Sequence, residues 1–250
     1  MDTVKHIFGK PDYVDGIGLI YPVQMKNYDD FMSVANILCL SYEHFNVDEI
    51  KKELHKENIR LLDLVILSAT QNQGYLGIYN LTRVLKLVLK EDVRFNQVEN
   101  TFHMKDGNKI SRDNYDQFRE IVMTQNLLFT PKVYKNKKLQ EWADKVIKAR
   151  AKSAISADIE SQISTVALLA NKDFKEIEEW SIYQFNMQYN RIHKFETYKT
   201  TIQQILAGAK DVNPEHFAEI INLFKNPYDD IFKDKNSGKL KKLNSAIKGG

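Results

Sequence analysis

Histidine, cysteine and carboxylate side chains are the groups of this sequence best suited to metal binding or proton transfer, and their spacing argues against both. No two of the six histidines lie three or four residues apart, the HExxH pattern is absent, and a single cysteine excludes a CxxC zinc module. The histidines are His6, His44, His55, His103, His193 and His216. We therefore interpret them as core or surface residues, and we expect neither a metal nor another cofactor.

The nucleophiles and the glycine pairs lack the surroundings that catalysis or phosphate binding requires. Cys39 lies in the apolar run 34–40, which is typical of a buried small hydrophobic residue. No serine lies in a GxSxG pattern. The pairs Gly16 and Gly18, and Gly74 and Gly77, lack the Lys-Ser or Lys-Thr that completes a phosphate-binding loop. We interpret these glycines as turn residues.

Carboxylate pairs are frequent, but each joins neighbouring residues, as in Asp29-Asp30, Glu178-Glu179 and Asp229-Asp230. Neighbouring residues on a helix point in different directions, so such pairs are typical of solvated faces or helix caps and not of a catalytic dyad. We therefore expect no catalytic residue and no enzyme. An enzyme whose site is assembled from distant residues is an alternative, and it requires a pocket with convergent titratable groups.

The composition is that of a helical protein with a substantial core. The chain has 250 residues, of which 43% are hydrophobic, and its 10 glycines and 5 prolines are few for that length. Its 36 basic and 33 acidic residues nearly balance, so only local clusters of charge favour nucleic acid. A single cysteine, a polar N-terminus and short apolar runs predict a soluble protein of a reducing cytoplasm, with no membrane partner.

The N-terminal part of the chain combines one extended segment with several helices. Residues 13–25 alternate between apolar and polar types around glycine and proline, which predicts a short edge hairpin. Asn27, Asn46 and Asn58 precede segments with apolar residues at helical spacing, so each is a candidate N-cap. A further apolar helix is predicted from Tyr75 to about residue 90.

A second hairpin and one more helix complete a predicted α+β domain, residues 1–130. Apolar and polar residues alternate on the N-terminal side of Asp106-Gly107. This dipeptide favours a type I′ turn, because both of its positions then need positive φ. Asp113 opens the following helix, with Asp116 in its first turn.

Residues 131–154 are predicted to form a basic connecting helix. Between 132 and 152, eight Lys or Arg residues stand against only two acids, Glu141 and Asp144. With the lysines of the C-terminal tail, this segment supports an alternative function, a nucleic-acid-binding module that contacts phosphates. Solvated faces and a solubilising tail explain the same charges without nucleic acid. The basic residues are Lys132, Lys135, Lys137, Lys138, Lys145, Lys148, Arg150 and Lys152 in the helix, and Lys233, Lys235, Lys239, Lys241 and Lys242 in the tail.

Residues 155–228 are predicted to form an all-helical bundle. Either Ser156 or Asp158 caps the first helix. Asp173, with Glu176 three residues later, has the pattern of a capping box. The sequence therefore places two helix starts in this part of the chain from local signals alone.

The later helices of the bundle are predicted from apolar content and from breakers. Residues 174–192 are apolar on most sides, which is typical of a central helix. A third helix, 195–207, stops at Gly208, and a fourth begins at Asn213-Pro214. Residues 229–250 are predicted to be a Lys-rich mobile tail.

The first two helices of the bundle have the lengths of a helix-turn-helix motif. The second of them, however, carries Glu176, Glu178 and Glu179, and carboxylates repel phosphates. We therefore interpret this pair of helices as core architecture and not as a DNA-reading element.

Five residues of the second helix are candidates for binding a partner, because aromatic residues and arginine are frequent hot spots at interfaces. Their spacing is equally typical of a helix buried in a bundle, and core packing is the favoured interpretation. The candidates are Trp180, Tyr183, Phe185, Tyr189 and Arg191.

Four motifs of the C-terminal half occur together in a known group of proteins. They are Asp173-Phe174-Lys175-Glu176-Ile177, Ser181-Ile182-Tyr183-Gln184-Phe185, Asn190-Arg191-Ile192 and the small-residue stop Ala207-Gly208-Ala209. With these motifs, the C-terminal half resembles a group of tailed-phage proteins from Gram-positive hosts. The resemblance is carried by packing and capping residues, so it brings no catalytic signature with it.

The N-terminal part contains Ile20-Tyr21-Pro22-Val23, followed by Tyr28-Asp29-Asp30-Phe31. In this layout it is similar to phage tail assembly chaperones and baseplate-hub assembly proteins. The resemblance implies a non-enzymatic protein of phage tail morphogenesis that binds the tape measure or the baseplate hub. It is compatible with a chaperone of the host cytoplasm or with a component of the virion tail or baseplate, and it leaves an oligomer open.

Overall fold

The computed structural model describes residues 3–55, 57–73, 75–134, 136–153, 158–210 and 212–225. These described segments form ten α-helices and five short strands in two antiparallel sheets, which confirms the predicted mainly helical α+β class. The described residues of 1–130 and 158–223 group into one compact unit, and those of 131–157 and 224–250 into a second.

The first sheet is the predicted edge hairpin, although it is shorter than the extended segment suggests. Helix α1 (Thr3–Ile7) precedes strands β1 (Asp12–Val14) and β2 (Gly18–Ile20), which pair antiparallel with Asp12 opposite Ile20. Val14 and Ile20 are buried, and the chain then turns into a 3-10 helix, Met25–Asn27. The alternation therefore marks an edge hairpin with one buried side.

Four helices follow the hairpin, and the third and fourth of them contribute the largest share of the buried core. Asn27 and Asn46 precede the first two of these helices, where caps were predicted, but neither side chain makes a capping hydrogen bond with the described backbone. The helices are α2 (Tyr28–Val34), α3 (Val47–Leu54), α4 (Leu61–Gln73) and α5 (Tyr75–Leu89), with 3-10 helices at Ala35–Cys39 and Tyr42–His44.

Helices α4 and α5 approach each other so closely that a side chain is excluded at Gly77. A Cβ atom at this position would lie 2.6 Å from the backbone of Ala69. The interpretation of Gly77 as a turn residue is therefore wrong, because Gly77 lies within α5 and allows two helices to pack. Gly16 does lie in a turn, and Gly74 lies outside the described residues.

The second sheet is the predicted Asp106-Gly107 hairpin with one added strand. Strands β3 (Arg94–Asn96), β4 (Thr101–His103) and β5 (Lys109–Ile110) are ordered β3-β4-β5, all antiparallel. Helix α6 (Tyr115–Gln125) follows, two residues after the predicted start at Asp113. Phe102 and Phe118 from these elements are fully buried.

The remaining helices are α7 (Lys137–Ser153), α8 (Ile159–Ala170), α9 (Phe174–Glu178) and α10 (Ile182–Leu206). Asp158 caps α8, since its carboxylate accepts a hydrogen bond from the Ser161 amide at 2.7 Å. The capping box at α9 is also confirmed: the Asp173 carboxylate accepts from the Glu176 amide at 2.8 Å.

The prediction of one continuous helix over 174–192 is wrong. The helix is interrupted after Glu178 because Ser181 caps a new one: its hydroxyl accepts from the Gln184 amide at 3.1 Å. The Ser181 amide in turn donates to the Gln184 side chain at 2.7 Å, which completes a second capping box. The predicted separate helix 195–207 is the continuation of α10.

The stop at Gly208 is confirmed, but the fourth helix of the bundle is not. Gly208 adopts a φ of +94°, and its amide donates to the Ile205 carbonyl at 2.9 Å, as in helix C-terminal motifs. Residues 212–225 contain turns and no helix, so the helix predicted at Asn213-Pro214 is wrong. The predicted tail, 229–250, lies outside the described residues.

The core joins the N-terminal helices to α8, α9 and α10. Leu62 and Leu81 lie at its centre, and Val166, Ile177 and Phe185 belong to the same buried cluster. Residues separated by more than a hundred positions therefore share one interior. The boundaries proposed near residues 130, 154 and 228 stay predictions.

Candidate partner-binding surfaces

The five predicted partner-binding residues differ in how much of each side chain is accessible. Phe185 and Tyr183 are 0% and 2% exposed, so these two rings belong to the interior. Trp180 and Tyr189 are half-buried and pack against the core cluster, and Arg191 is also half-buried. Only the last three can offer area to another molecule.

The start of α10 is fixed by the backbone around Val23. The Met25 amide donates to the Trp180 carbonyl at 2.8 Å, and the Ile182 amide donates to the Val23 carbonyl at 3.0 Å. These bonds form a bridge between two stretches of chain that lie far apart in the sequence. Trp180 therefore has a structural position at the junction between the N-terminal region and α10.

An exposed ion pair reinforces this junction. The Lys26 ammonium group lies 2.8 Å from the Glu179 carboxylate, and the Gln24 side-chain amide donates to the same carboxylate at 3.0 Å. The hydrogen bond from Lys26 holds the pKa of Glu179 below its ordinary value. Glu179, which the sequence predicts to lie on a solvated face, is therefore both exposed to solvent and paired with Lys26.

Arg191 binds the segment 212–225 of its own chain. Its guanidinium group donates to the carbonyl oxygens of Phe217 and Glu219, the latter at 2.9 Å. One helical turn on, Lys194 lies 3.2 Å from the Glu219 carboxylate. Arg191 therefore anchors an irregular segment on α10, and whether a partner also contacts it stays a prediction.

Aromatic rings hold the same segment against the second half of α10. The Phe217 ring centroid lies 5.3 Å from that of Phe195, at nearly a right angle, and 5.6 Å from that of Tyr198. His216 stacks on Phe217 with a centroid distance of 4.6 Å. Edge-to-face and offset contacts of this kind are the favoured geometries of aromatic pairs.

An apolar corner at the turn between α8 and α9 was missed by the sequence analysis. It consists of Leu168, Leu169 and Phe174, which are 79%, 49% and 63% exposed. Residues 161–170 of α8 carry no charge, so the side chains that accompany Leu168 along this helix are neutral ones, Ser161, Ser164 and Thr165. The sequence did contain an indication that Leu168 and Leu169 are exposed, because both fall outside the apolar stripe of α8 that contains the buried Val166.

The corner is held in place by local structure. Asn171 adopts a left-handed φ of 53° that ends α8, and the Lys172 amide donates to the Ala167 carbonyl at 3.1 Å. The Asp173–Glu176 capping box then sets the direction of α9. Three exposed side chains are thereby presented at a turn whose backbone is hydrogen-bonded on both sides.

A polar cleft of about 450 Å³ separates α6 from α1 and β1. The Asp12 carboxylate in it is paired with Lys5 and accepts from the Gln125 side-chain amide at 2.8 Å, so its oxygens already serve the fold. Among the residues that the structure describes, no three His, Cys, Asp or Glu side chains lie together as a metal site would require. The lining residues include Lys5, His6, Asp12, Gln117, Glu120 and Thr124.

Cys39 was predicted to be a buried residue, and its thiol is half-buried in the structure. Burial raises its pKa, and the opposite effect of the nearby Arg119 guanidinium is smaller. A thiol whose pKa is raised is a poor nucleophile near neutral pH, since the thiolate is the reactive form.

Within the described part of the chain, no helix is long and apolar enough to cross a bilayer.

The chain is similar to a prophage protein along most of its length. It is 24% identical over 235 residues to the SPbeta prophage-derived uncharacterized protein YomV of Bacillus subtilis (strain 168), an alignment that covers 90% of this chain and 92% of that protein. The family described as the YomV second domain matches residues 149–222, which include α8, α9 and α10. No solved structure matches the chain. The similarity supports a phage-encoded origin.

Proposed function

We propose that this protein is a phage-encoded, non-enzymatic binding protein of tail morphogenesis, and that its apolar corner binds an apolar segment of a tail protein. The tape measure and the baseplate hub are the partners implied by the resemblance of the sequence. The similarity to a prophage-derived protein supports the phage context. The observation that carries the proposal is the exposure of Leu168, Leu169 and Phe174 in the region matched by the YomV second domain.

The chemistry of the corner selects an apolar partner. Complete burial of a leucine or phenylalanine side chain contributes about 1.5–3 kcal/mol, and large exposed apolar groups at one place are typical of protein interfaces. A charged partner segment would lose hydration against α8 without gaining an opposite charge, since residues 161–170 have none. An amphipathic helix that offers its apolar side fits this surface.

Two roles are compatible with such a surface. A chaperone would cover an apolar helix of a long tail protein until assembly and would then leave. A structural component would keep the same contact in the finished particle. Quantitative mass spectrometry of purified particles beside the infected-cell lysate separates these roles, because a component is abundant in both samples and a chaperone is found in the lysate alone.

The corner itself is tested by recovery of partners with a tagged protein from infected cells. We expect the wild type to recover tail proteins and the double variant Leu168→Asp/Phe174→Asp to lose them, because two buried carboxylates oppose binding. Ile220→Asp is the matched control, since Ile220 is 92% exposed outside the corner. Recovery of no tail protein by the wild type, or equal recovery by all three proteins, would refute the proposal.

A further inference from the structure

One side of α10 binds a short stretch of the same chain. The side chains that bind it are Arg191, Lys194, Phe195 and Tyr198, and their spacings of three and four residues place them along one side of the helix. We call these four residues the α10 site. The stretch that they bind is residues 215–219, which we call the acidic turn. Both belong to the same compact unit of the structure.

Arg191 recognises the backbone of the acidic turn. Its guanidinium group donates to the carbonyl oxygens of Phe217 and Glu219, the latter at 2.9 Å. The Glu219 amide donates to the His216 carbonyl at 3.0 Å, so the turn is closed by its own hydrogen bond. Every peptide has carbonyl oxygens, so this contact selects the shape of a backbone and not its side chains. A turn from another protein can make the same contact.

The other members of the α10 site select particular side chains. The Lys194 ammonium group lies 3.2 Å from the Glu219 carboxylate and 3.6 Å from the Glu215 carboxylate. The Phe217 ring, which lies between these acids in the sequence, contacts the rings of Phe195 and Tyr198. The preferred ligand is therefore a turn in which two acids flank an aromatic residue, each two positions away from it.

The acidic turn lies on the surface of α10 and is not built into the core. No side chain of residues 193–206 or 212–225, all of which the structure describes, is buried. The Glu215 side chain is 80% exposed. Exposed ion pairs are individually weak, and segments with few buried contacts open locally far more often than the core does. The α10 site is therefore accessible whenever the turn detaches.

We propose that the α10 site binds a segment of another protein in which two acids flank an aromatic residue, and that the acidic turn covers the site as an intramolecular competitor. A tethered segment acts at an effective concentration of roughly millimolar order, so an identical turn from a second copy of the chain gains nothing by displacing it. A partner segment prevails when it adds contacts. Leu206, two helical turns after Tyr198 and 82% exposed, offers such a contact. This inference does not depend on the apolar corner.

The test is a titration with a synthetic peptide of residues 213–221, followed by the backbone amide signals of α10 in NMR spectra of the isotope-labelled full chain. The opened variant, Phe217→Ala/Glu219→Gln, weakens the chain's own turn and leaves the α10 site unchanged. We expect this variant to bind the peptide at least about ten-fold more tightly than the wild type does, because less of its site is covered.

Two further variants show whether the peptide binds at the proposed place. Adding Arg191→Gln/Lys194→Gln to the opened variant gives the site variant, which should lose binding. Adding Lys10→Gln/Lys175→Gln instead removes the same charge at exposed positions outside α10, and binding should persist. A peptide with alanine in place of its phenylalanine should not bind the opened variant. Circular dichroism confirms that each variant is folded.

Several outcomes would overturn the inference. The opened variant could show no shifted signals with millimolar peptide, it could bind no more tightly than the wild type, or the site variant could bind equally well. Light scattering could also reveal a dimer of the wild type that the site variant does not form, which would assign the surface to a second copy. Leu168→Asp/Phe174→Asp added to the opened variant should leave peptide binding unchanged, so this outcome is separate from that of the tail-protein proposal.

Discussion

The two halves of α10 are stabilised in different ways, although they belong to one helix of 25 residues, about 37 Å long. In the first half, Ile182, Tyr183 and Phe185 are buried. In the second half, residues 193–206, all of which the structure describes, no side chain is buried, and Leu206 is exposed. Apolar residues occur along the whole helix, so apolar content does not show how far contact with the core extends.

The second half depends on local partners. The segment 212–225 covers part of it through the ring cluster of Phe195, Tyr198, His216 and Phe217, and through the carbonyl oxygens bound by Arg191. Aromatic pairs contribute about 0.5–1.5 kcal/mol each, which is small beside the burial of a complete ring in a core. The two halves should therefore respond differently to equivalent substitutions.

The largest difference is expected between two Phe→Ala variants. Phe185→Ala removes a fully buried ring and should lower the free energy of unfolding by about 3–5 kcal/mol. Phe195→Ala removes a ring of the second half and should cost less than about 1.5 kcal/mol. Urea denaturation followed by circular dichroism measures both. Similar losses in the two variants would show that the core extends along the whole helix.

A smaller effect is expected at the cap of the first half. Ser181→Ala removes the acceptor of the Gln184 amide at a buried N-cap and should cost about 1 kcal/mol. Ser181→Thr retains a hydroxyl and should restore most of this loss. Ser164→Ala, at an exposed site of α8, is the control in the same denaturation assay. A stable Ser181→Ala protein would mean that the bonds around Val23 suffice to begin α10.

The third effect should be local to the second half. Phe217→Ala removes the ring that contacts Phe195, Tyr198 and His216, so the segment 212–225 should detach more often. We expect faster proteolysis within that segment, while the urea midpoint of the core changes little. Limited proteolysis with mass spectrometry locates the cuts. A loss of global stability as large as that of Phe185→Ala would contradict the comparison.

The smallest effect concerns the pH dependence of the junction that holds the first half. The pKa of Glu179 is lowered in the folded protein, chiefly by its hydrogen bond from Lys26, so its ionised form stabilises the fold. This contribution is present above the ordinary pKa of 4.5 and is lost as the pH falls through the lower folded value. Glu179→Gln should therefore lose less stability on acidification than the wild type or the exposed control Glu178→Gln, measured by thermal melts.

Local signals in the sequence predicted some helix ends and turns but not others, since Asn27 and Asn46 make no capping hydrogen bond with the described backbone and no helix begins at Asn213-Pro214. Asp158, the Asp173–Glu176 pair and Gly208 act as proposed, because each makes hydrogen bonds to a backbone three or four residues away. The Ser181–Gln184 capping box has the same kind of pattern, yet it was missed among apolar residues that suggested one continuous helix. The apolar residues of 174–192 suggested a continuous helix, and the capping pattern of Ser181 and Gln184 within them was therefore overlooked.

The candidate binding surface could be predicted only in part. Aromatic type selected Tyr183 and Phe185, but burial depends on what packs against a side chain and not on its type. Leu168 and Phe174 were not selected, although they are exposed. Hydrophobic residues of a helix are assigned to a core by default, and the sequence does not show where neighbouring elements end.

The sequence by itself determined the mainly helical class, the two hairpins, several helix ends and the basic character of α7, since these follow from interactions between residues close in the chain. Only the tertiary structure decided which apolar side chains are covered, why Gly77 has no side chain, and where α10 begins to rest on the core. These depend on contacts such as that of Met25 with Trp180, between residues far apart in the sequence. Local hydrogen bonds are encoded by neighbouring residues, whereas burial is a property of the packed molecule.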